Sequence, residues 1–340
     1  MFTAVSVDYL VPVLLVLPAL LALWKGAGVL LRQTLWLSER SEITELSLGL
    51  SLLALVATLP ELLVVLLAGA RGDGMEVYAS VTGSSIFNLF FLAGLFGLLR
   101  PLKFRNQSVW KELPFLIVAT LLVFFLLNDQ LLAGGQSNAL EPWEARVLLA
   151  ALAGYLLYVF TNHKKPHRQQ PEDPDSEASG ARAGLPGKER LRNLLLIPGA
   201  SLAICMGALL LMQVAVELAE SADFNNRGRA IVFLATGSGL PELFICREAF
   251  LHKKNDLVTG CLLGSMLLNL LLVLPAGSLY GALGYPRVLN FDFNFYFFGL
   301  LLLFFSMFTG GFKKLDRWEA FLFLAFSLVY FHFIVVRGQG

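Results

Sequence analysis

Apolar residues come in long unbroken runs along the whole chain, parted by short polar stretches rich in Lys, Arg, Asp and Glu. A helix needs roughly 20 predominantly apolar residues to cross a bilayer. Ten stretches meet that length: 9–31, 43–69, 77–99, 113–132, 144–161, 193–218, 229–251, 257–282, 293–311 and 318–336. The pattern predicts an all-α, polytopic membrane protein with ten transmembrane helices. One segment departs from it. Residues 162–192 carry Pro, Gly, Ser and charges of both signs, as in His163-Lys164-Lys165-Pro166 and Glu172-Asp173-Pro174-Asp175. Such a composition buries too little apolar surface to order itself. It is expected to be a linker between a first unit, 1–161, and a second, 193–340, of five spans each.

Composition agrees. Of 340 residues, 56% are hydrophobic and 15% charged, with a mean hydropathy of +0.69, far from the balance of a soluble domain. A net charge of +1 gives no reason to expect a nucleic-acid partner. Cys205, Cys246 and Cys261 fall in apolar runs without metal-ligand spacing and read as small buried hydrophobes. Met1 to Leu10 hold no Lys or Arg. That stretch lacks the basic region of a cleavable signal peptide, so the first span is expected to be retained. Cationic loops mark the cytoplasmic side. The loops on one side hold Arg32, Arg40, Arg100, Lys103, Arg105, Lys111, seven cations of the linker, Lys253, Lys254, Lys313, Lys314 and Arg317; the other side holds Arg71, Arg227, Arg229, Arg287 and Arg337. The linker is therefore expected in the cytoplasm and both termini outside, in the cell (inner) membrane. With five spans per half, the second half is inverted relative to the first.

Two halves of opposite orientation also share sequence. A shift of 181 aligns Thr58–Gly94 with Gly239–Pro275 without a gap, and ten of the 37 pairs are identical. Leu59/Leu240, Pro60/Pro241, Glu61/Glu242, Gly83/Gly264, Ser84/Ser265 and Asn88/Asn269 are among them. An inverted-topology repeat is the architecture of many alternating-access transporters.

The matched residues carry chemistry. Glu61 and Glu242 each follow a proline deep in an apolar run. A carboxylate there costs about 2.5–3.5 kcal/mol on insertion scales and points to a functional site. Proline removes a backbone donor, so spans two and seven are expected to be broken helices. The repeat symmetry places the two glutamates facing each other near the midplane, where repulsion favours protons or a shared divalent cation. The bland alternative is a pair of protonated glutamates gluing helices together. Ser84 and Asn88 are four apart on one face of span three, and Ser265 and Asn269 repeat this on span eight. They read either as interhelical packing or as ligands and their supports. Thr58 offers a hydroxyl at the first break, where its counterpart Gly239 offers none. Arg247 and Glu248 read as groups near a span end, Glu217 and Glu220 as a solvated rim, and His332 as a packing histidine.

At these segments the sequence resembles the cation/calcium exchanger superfamily, and its sodium/calcium exchanger branch most closely. That family carries two inverted alpha-repeats, each with a G-T-S-x-P-E-like segment and a G-S-N-I-F-[ND]-like segment. Here they read Val56-Ala57-Thr58-Leu59-Pro60-Glu61 with Gly83-Ser84-Ser85-Ile86-Phe87-Asn88, and Thr236-Gly237-Ser238-Gly239-Leu240-Pro241-Glu242 with Gly264-Ser265-Met266-Leu267-Leu268-Asn269. The resemblance implies that Glu61 and Glu242 bind Ca²⁺, helped by the carbonyls of Ala57 and Ser238. It implies flanking Na⁺ sites with oxygens from Thr58, Ser84, Ser265 and Ser238, and a central polar pair in Asn88 and Asn269. It also implies that spans one and six slide against the core. Ala57 stands in place of the family Thr, Gly239 in place of Ser, and Asn269 where many members carry Asp. Ser85 and Met266 replace Asn. The linker is too short for the calcium-sensing domains of larger relatives.

The expected function is exchange of Ca²⁺ for Na⁺ by alternating access, with Ca²⁺/H⁺ or Na⁺/H⁺ antiport, or a degenerate non-transporting member, as alternatives. The expected ligands are Ca²⁺ and Na⁺ (or H⁺) as transported ions and the lipid bilayer; no cofactor and no protein partner is expected. Ser238 between two glycines faintly resembles an intramembrane serine protease. His163, His167 and His252 fall in loops, however, and His332 has no matched partner, so no enzyme is expected.

Overall fold

The computed structural model describes residues 7–132, 138–162, 187–221 and 239–337. Most of the expected linker and the first half of span seven, with Ser238, lie outside them. The ten expected spans take the form of helices α1 (Val7–Arg40), α2 (Glu45–Ala70), α3 (Gly74–Leu99), α4 (Ser108–Leu127), α5 (Pro142–Asn162), α6 (Gly187–Ser221), α7 (Leu240–Leu251), α8 (Asn255–Gly277), α9 (Asn290–Ser306) and α10 (Arg317–Arg337). Among the described residues, nine helices are long and apolar enough to cross a membrane, and α7 is the described half of the remaining one. The protein is an integral, multi-pass membrane protein.

Burial sorts the helices. In their most apolar stretches α3 is 83% and α8 94% buried, against 33% for α1, α5 and α10. These two form the centre. Glycine lets α2 and α8 approach closely. A Cβ on Gly264 would lie 2.6 Å from the Leu50 carbonyl oxygen, and one on Gly260 would lie 2.8 Å from that of Leu46. The long α1 and α6 pack on each other through Gly26 and Gly207, against Ile204 and the Ala19 carbonyl. They meet the rest through α7 and α2.

The repeat reaches further than the sequence alignment carried it. Strand β1 (Leu102–Lys103), between α3 and α4, pairs with β4 (Lys314–Leu315), between α9 and α10. Strand β2 (Ala139–Leu140), between α4 and α5, pairs with β3 (Leu283–Gly284), between α8 and α9. The sheets close opposite ends of α4 and α9, and the first brings Lys103 and Lys314 to one end. The caps match as well. The Glu144 carboxylate accepts the Glu141 N–H, and the Glu319 carboxylate accepts the Asp316 N–H, both at 2.8 Å. Each is the reach-back half of a capping box. Phe115 stacks on Tyr155 at 5.1 Å and Phe295 on Tyr330 at 5.0 Å.

Two expectations change. The helix does not part at Pro60: the α-helical segment Ala54–Ala70 runs through it. A π-helical segment, Gly49–Leu53, precedes it instead. Wide turns also occupy Phe87–Leu92 in α3 and Asn269–Val273 in α8, at mirrored places. A π turn lets a helix re-aim its side chains without ending, so a break is not the only way to present polar groups. His332, expected to pack, lies on the exposed face of α10.

Candidate cation site

Glu61 stands in mid-helix on α2, one residue beyond Pro60. Pro60 has no N–H to offer the carbonyl four residues back. That carbonyl belongs to Val56, one residue before the Ala57 singled out from the sequence. Glu242 stands differently, in the first turn of α7, which Gly239 caps. The unpaired amides of a first turn favour an anion. Both carboxylates are 0% exposed, and Glu61 lies within electrostatic reach of Glu242.

The neighbours are crossed. Ser80 and Ser84 of α3 and Asn269 of α8 face Glu61. Ser265 of α8 and Asn88 of α3 face Glu242. Each glutamate thus takes the serine of its own repeat and the asparagine of the other. Ser80 Oγ donates to Glu61 Oε1 at 3.5 Å, and Asn269 Nδ2 donates to Ser84 Oγ at 3.3 Å. Asn88 lies in the wide turn of α3 and Asn269 opens that of α8, and both are fully buried.

Many oxygens here have no hydrogen-bond partner among the described residues: Glu61 Oε2, both oxygens of Glu242, Asn88 Oδ1, Asn269 Oδ1 and Ser265 Oγ. Buried carboxylate oxygens without donors are costly. A hard cation coordinated by carboxylate and amide oxygens relieves them together. The geometry fits a cation better than a pair of glutamates bonded to each other.

The structure brings Glu61, Glu242, Ser84, Asn88, Ser265 and Asn269 together. Thr58 and Ala57 are buried on α2, and the Thr58 hydroxyl donates to the Ala54 and Leu55 carbonyls at 3.1 and 3.2 Å. Ser238 lies outside the described residues. Ser80, four residues before Ser84, was not singled out, because its mirror is Cys261 and no match drew attention to it. Gly239 has a physical reason to lack a side chain: a Cβ there would lie 2.2 Å from the Phe87 ring.

The family model described as sodium/calcium exchanger protein matches residues 11–161 and 193–336, which spans most of both halves and skips the linker. The putative antiporter CaxA of Alkalimonas amylolytica is 25% identical over 243 residues, 72% of each chain. The sodium/calcium exchanger MaX1 of Methanosarcina acetivorans is 22% identical over 344 residues, 95% of this chain and 97% of that one. The inner membrane protein YrbG of Escherichia coli is 25% identical over 238 residues, 70% of each. Among solved structures, the sodium-calcium exchanger NCX_Mj soaked with 10 mM Na⁺ and zero Ca²⁺ superposes with a TM-score of 0.76 at 19% identity, covering 95% of this chain and 99% of that one.

Proposed function

The chain belongs to the sodium/calcium exchanger protein family, and on that premise we propose that it exchanges Ca²⁺ for Na⁺ across the membrane by alternating access at a site built on Glu61 and Glu242. The observation that carries this reading is the crossed, fully buried pair of carboxylates with its unpartnered oxygens. Ca²⁺ takes six to eight oxygens, and two carboxylates supply its charge balance. Na⁺ ions would use the same glutamates with the neutral oxygens of Ser84, Ser265, Asn88 and Asn269, and with Thr58, Ser238 and the Ala57 carbonyl. Competition for one pair of carboxylates makes the two loads exclusive, which yields exchange. An empty, doubly charged site is costly to seal from water, whereas a loaded one is neutralised, so loading biases the switch. The long pair α1 and α6 would slide against the core in that switch. The protein would sit in the inner membrane with its linker cytoplasmic and both termini outside, as the loop charges favour.

A second reading has its own support. The Phe87 ring fills the place of a side chain at Gly239, so one hydroxyl of the family pattern has no room. Fewer neutral oxygens weaken a Na⁺ site and leave H⁺ as the counter-ion. The test is ⁴⁵Ca²⁺ flux in proteoliposomes with Na⁺ and pH gradients imposed separately. Flux driven by the Na⁺ gradient alone is expected. Flux driven by the pH gradient alone, with none from Na⁺, replaces the first reading by the second.

A further inference from the structure

The two halves of the site differ in one respect that the repeat does not account for. On the Glu61 side lie hydroxyls at Ser80, Ser85, Thr120 and Tyr296. Their mirror positions are Cys261, Met266, Leu300 and Leu116, all apolar. The mirror relation for α4 and α9 follows the matched stacks of Phe115 on Tyr155 and Phe295 on Tyr330. At these four positions the Glu61 half of the centre carries hydroxyls that the Glu242 half, with Ser265 and Asn88, does not repeat.

Tyr296 of α9 is 0% exposed, and its hydroxyl has no hydrogen-bond partner among the described residues. The side chains facing it are Ser85 of α3 and Thr120 of α4. A buried phenol seeks a partner. Thr120 has committed its own proton to the Leu116 carbonyl at 2.7 Å. Ser85 has a different link: its Oγ lies 3.5 Å from Asn269 Nδ2, which also donates to Ser84 Oγ at 3.3 Å. Tyr296, Ser85 and Asn269 thus form a line from α9 through α3 to α8 that ends beside Glu61. Holding Nδ2 on two serine hydroxyls leaves Asn269 Oδ1 as the free acceptor, the end of the amide a cation needs.

We propose that Tyr296 and Ser85 are positioning residues that fix the amide of Asn269 beside Glu61, and so make the Glu61 half the one that selects the monovalent counter-ion. Ca²⁺ draws its binding from the two carboxylates; Na⁺ depends more on neutral oxygens, and one misplaced amide costs it more. The mirrored Asn88 has no such support: both its side-chain atoms lack partners among the described residues, and its would-be supports Met266 and Leu116 carry no hydroxyl. The proposal rests on the Na⁺ reading above.

The test is Y296F, which removes one oxygen and little volume, with S85A as a second cut in the same line. Na⁺ and Ca²⁺ activation curves of exchange are measured in proteoliposomes alongside wild type. S85A, which removes an acceptor of the Asn269 N–H, is expected to raise half-saturating Na⁺ by about three- to tenfold, the reach of one neutral hydrogen bond, and Y296F to raise it by less. Half-saturating Ca²⁺ is expected to move by less than about twofold, and the maximal rate to hold. Unchanged Na⁺ curves in both variants, with wild type exchanging Na⁺ for Ca²⁺, overturn the positioning role and leave the exchange reading standing. Equal rises for Na⁺ and Ca²⁺ also overturn it, because general loosening would do the same. A wild type without Na⁺ dependence removes the exchange reading and this proposal with it.

Discussion

Adding a methyl group at Gly264 tests how tightly the two repeats interlock. A Cβ there lies 2.6 Å from the Leu50 carbonyl oxygen, 2.7 Å from the Ala54 Cβ and 2.8 Å from the Leu50 Cα. None of these is the end of a flexible side chain, so α2 and α8 must move apart. Overpacking of this kind costs about 1–3 kcal/mol, and contact with backbone places Gly264→Ala at the upper end. Alanine returns about 1 kcal/mol through helix propensity, which leaves a net loss of about 2 kcal/mol. The same substitution grades along the seam. Gly260→Ala meets its nearest atom at 2.8 Å and Gly49→Ala at 3.0 Å, so the losses should fall in that order. Gly154 on α5 and Gly199 on α6 meet nothing within 4 Å, and alanine there should leave stability equal or slightly raised. Thermal unfolding of the purified protein in detergent, followed by tryptophan fluorescence at one scan rate, ranks the five variants. A Gly264→Ala protein that melts with Gly154→Ala would refute the close α2–α8 crossing.

Two further outcomes follow from the same structure. Glu144→Ala and Glu319→Ala each remove a reach-back cap and should each cost about 1 kcal/mol; amide exchange at Glu141 and Asp316 should speed up to similar degrees, and an effect at one end alone would contradict the extended repeat. Gly239→Ser should depress ⁴⁵Ca²⁺ flux, since its Cβ would strike the Phe87 ring; flux equal to wild type would contradict the packing at the start of α7, and Phe87→Leu in the same chain should recover part of the loss.

Much of this was legible in the sequence because the membrane imposes a coarse rule that a chain obeys along its length. Apolar runs located the helices, and Pro60-Glu61 with Pro241-Glu242 located the acidic pair. Beyond Gly94 a gapless alignment cannot be carried through α4, for a physical reason. The wide turn Ser108–Glu112 in α4 inserts one residue that α9 lacks, which changes the shift from 181 to 180. A longer connection before α5 changes it again, to 175, where Trp143-Glu144-Ala145 meets Trp318-Glu319-Ala320. A gapless comparison loses a repeat at each step. The π turns were illegible because no residue type demands them. Pro60 misled for a related reason: it forbids one hydrogen bond, and the helix absorbed that loss without ending. The hydroxyl line through Ser85 and Tyr296 was invisible because it is unmatched, and a search for symmetry passes over what only one half contains.

The central claim is that Glu61 and Glu242 hold one divalent ion between them. Equilibrium ⁴⁵Ca²⁺ binding to the purified protein tests it most directly, with Glu61→Gln and Glu242→Gln beside wild type. The account predicts one Ca²⁺ per chain, displaced by Na⁺, and loss of that ion in either variant. Wild-type binding retained by either glutamine variant would contradict it.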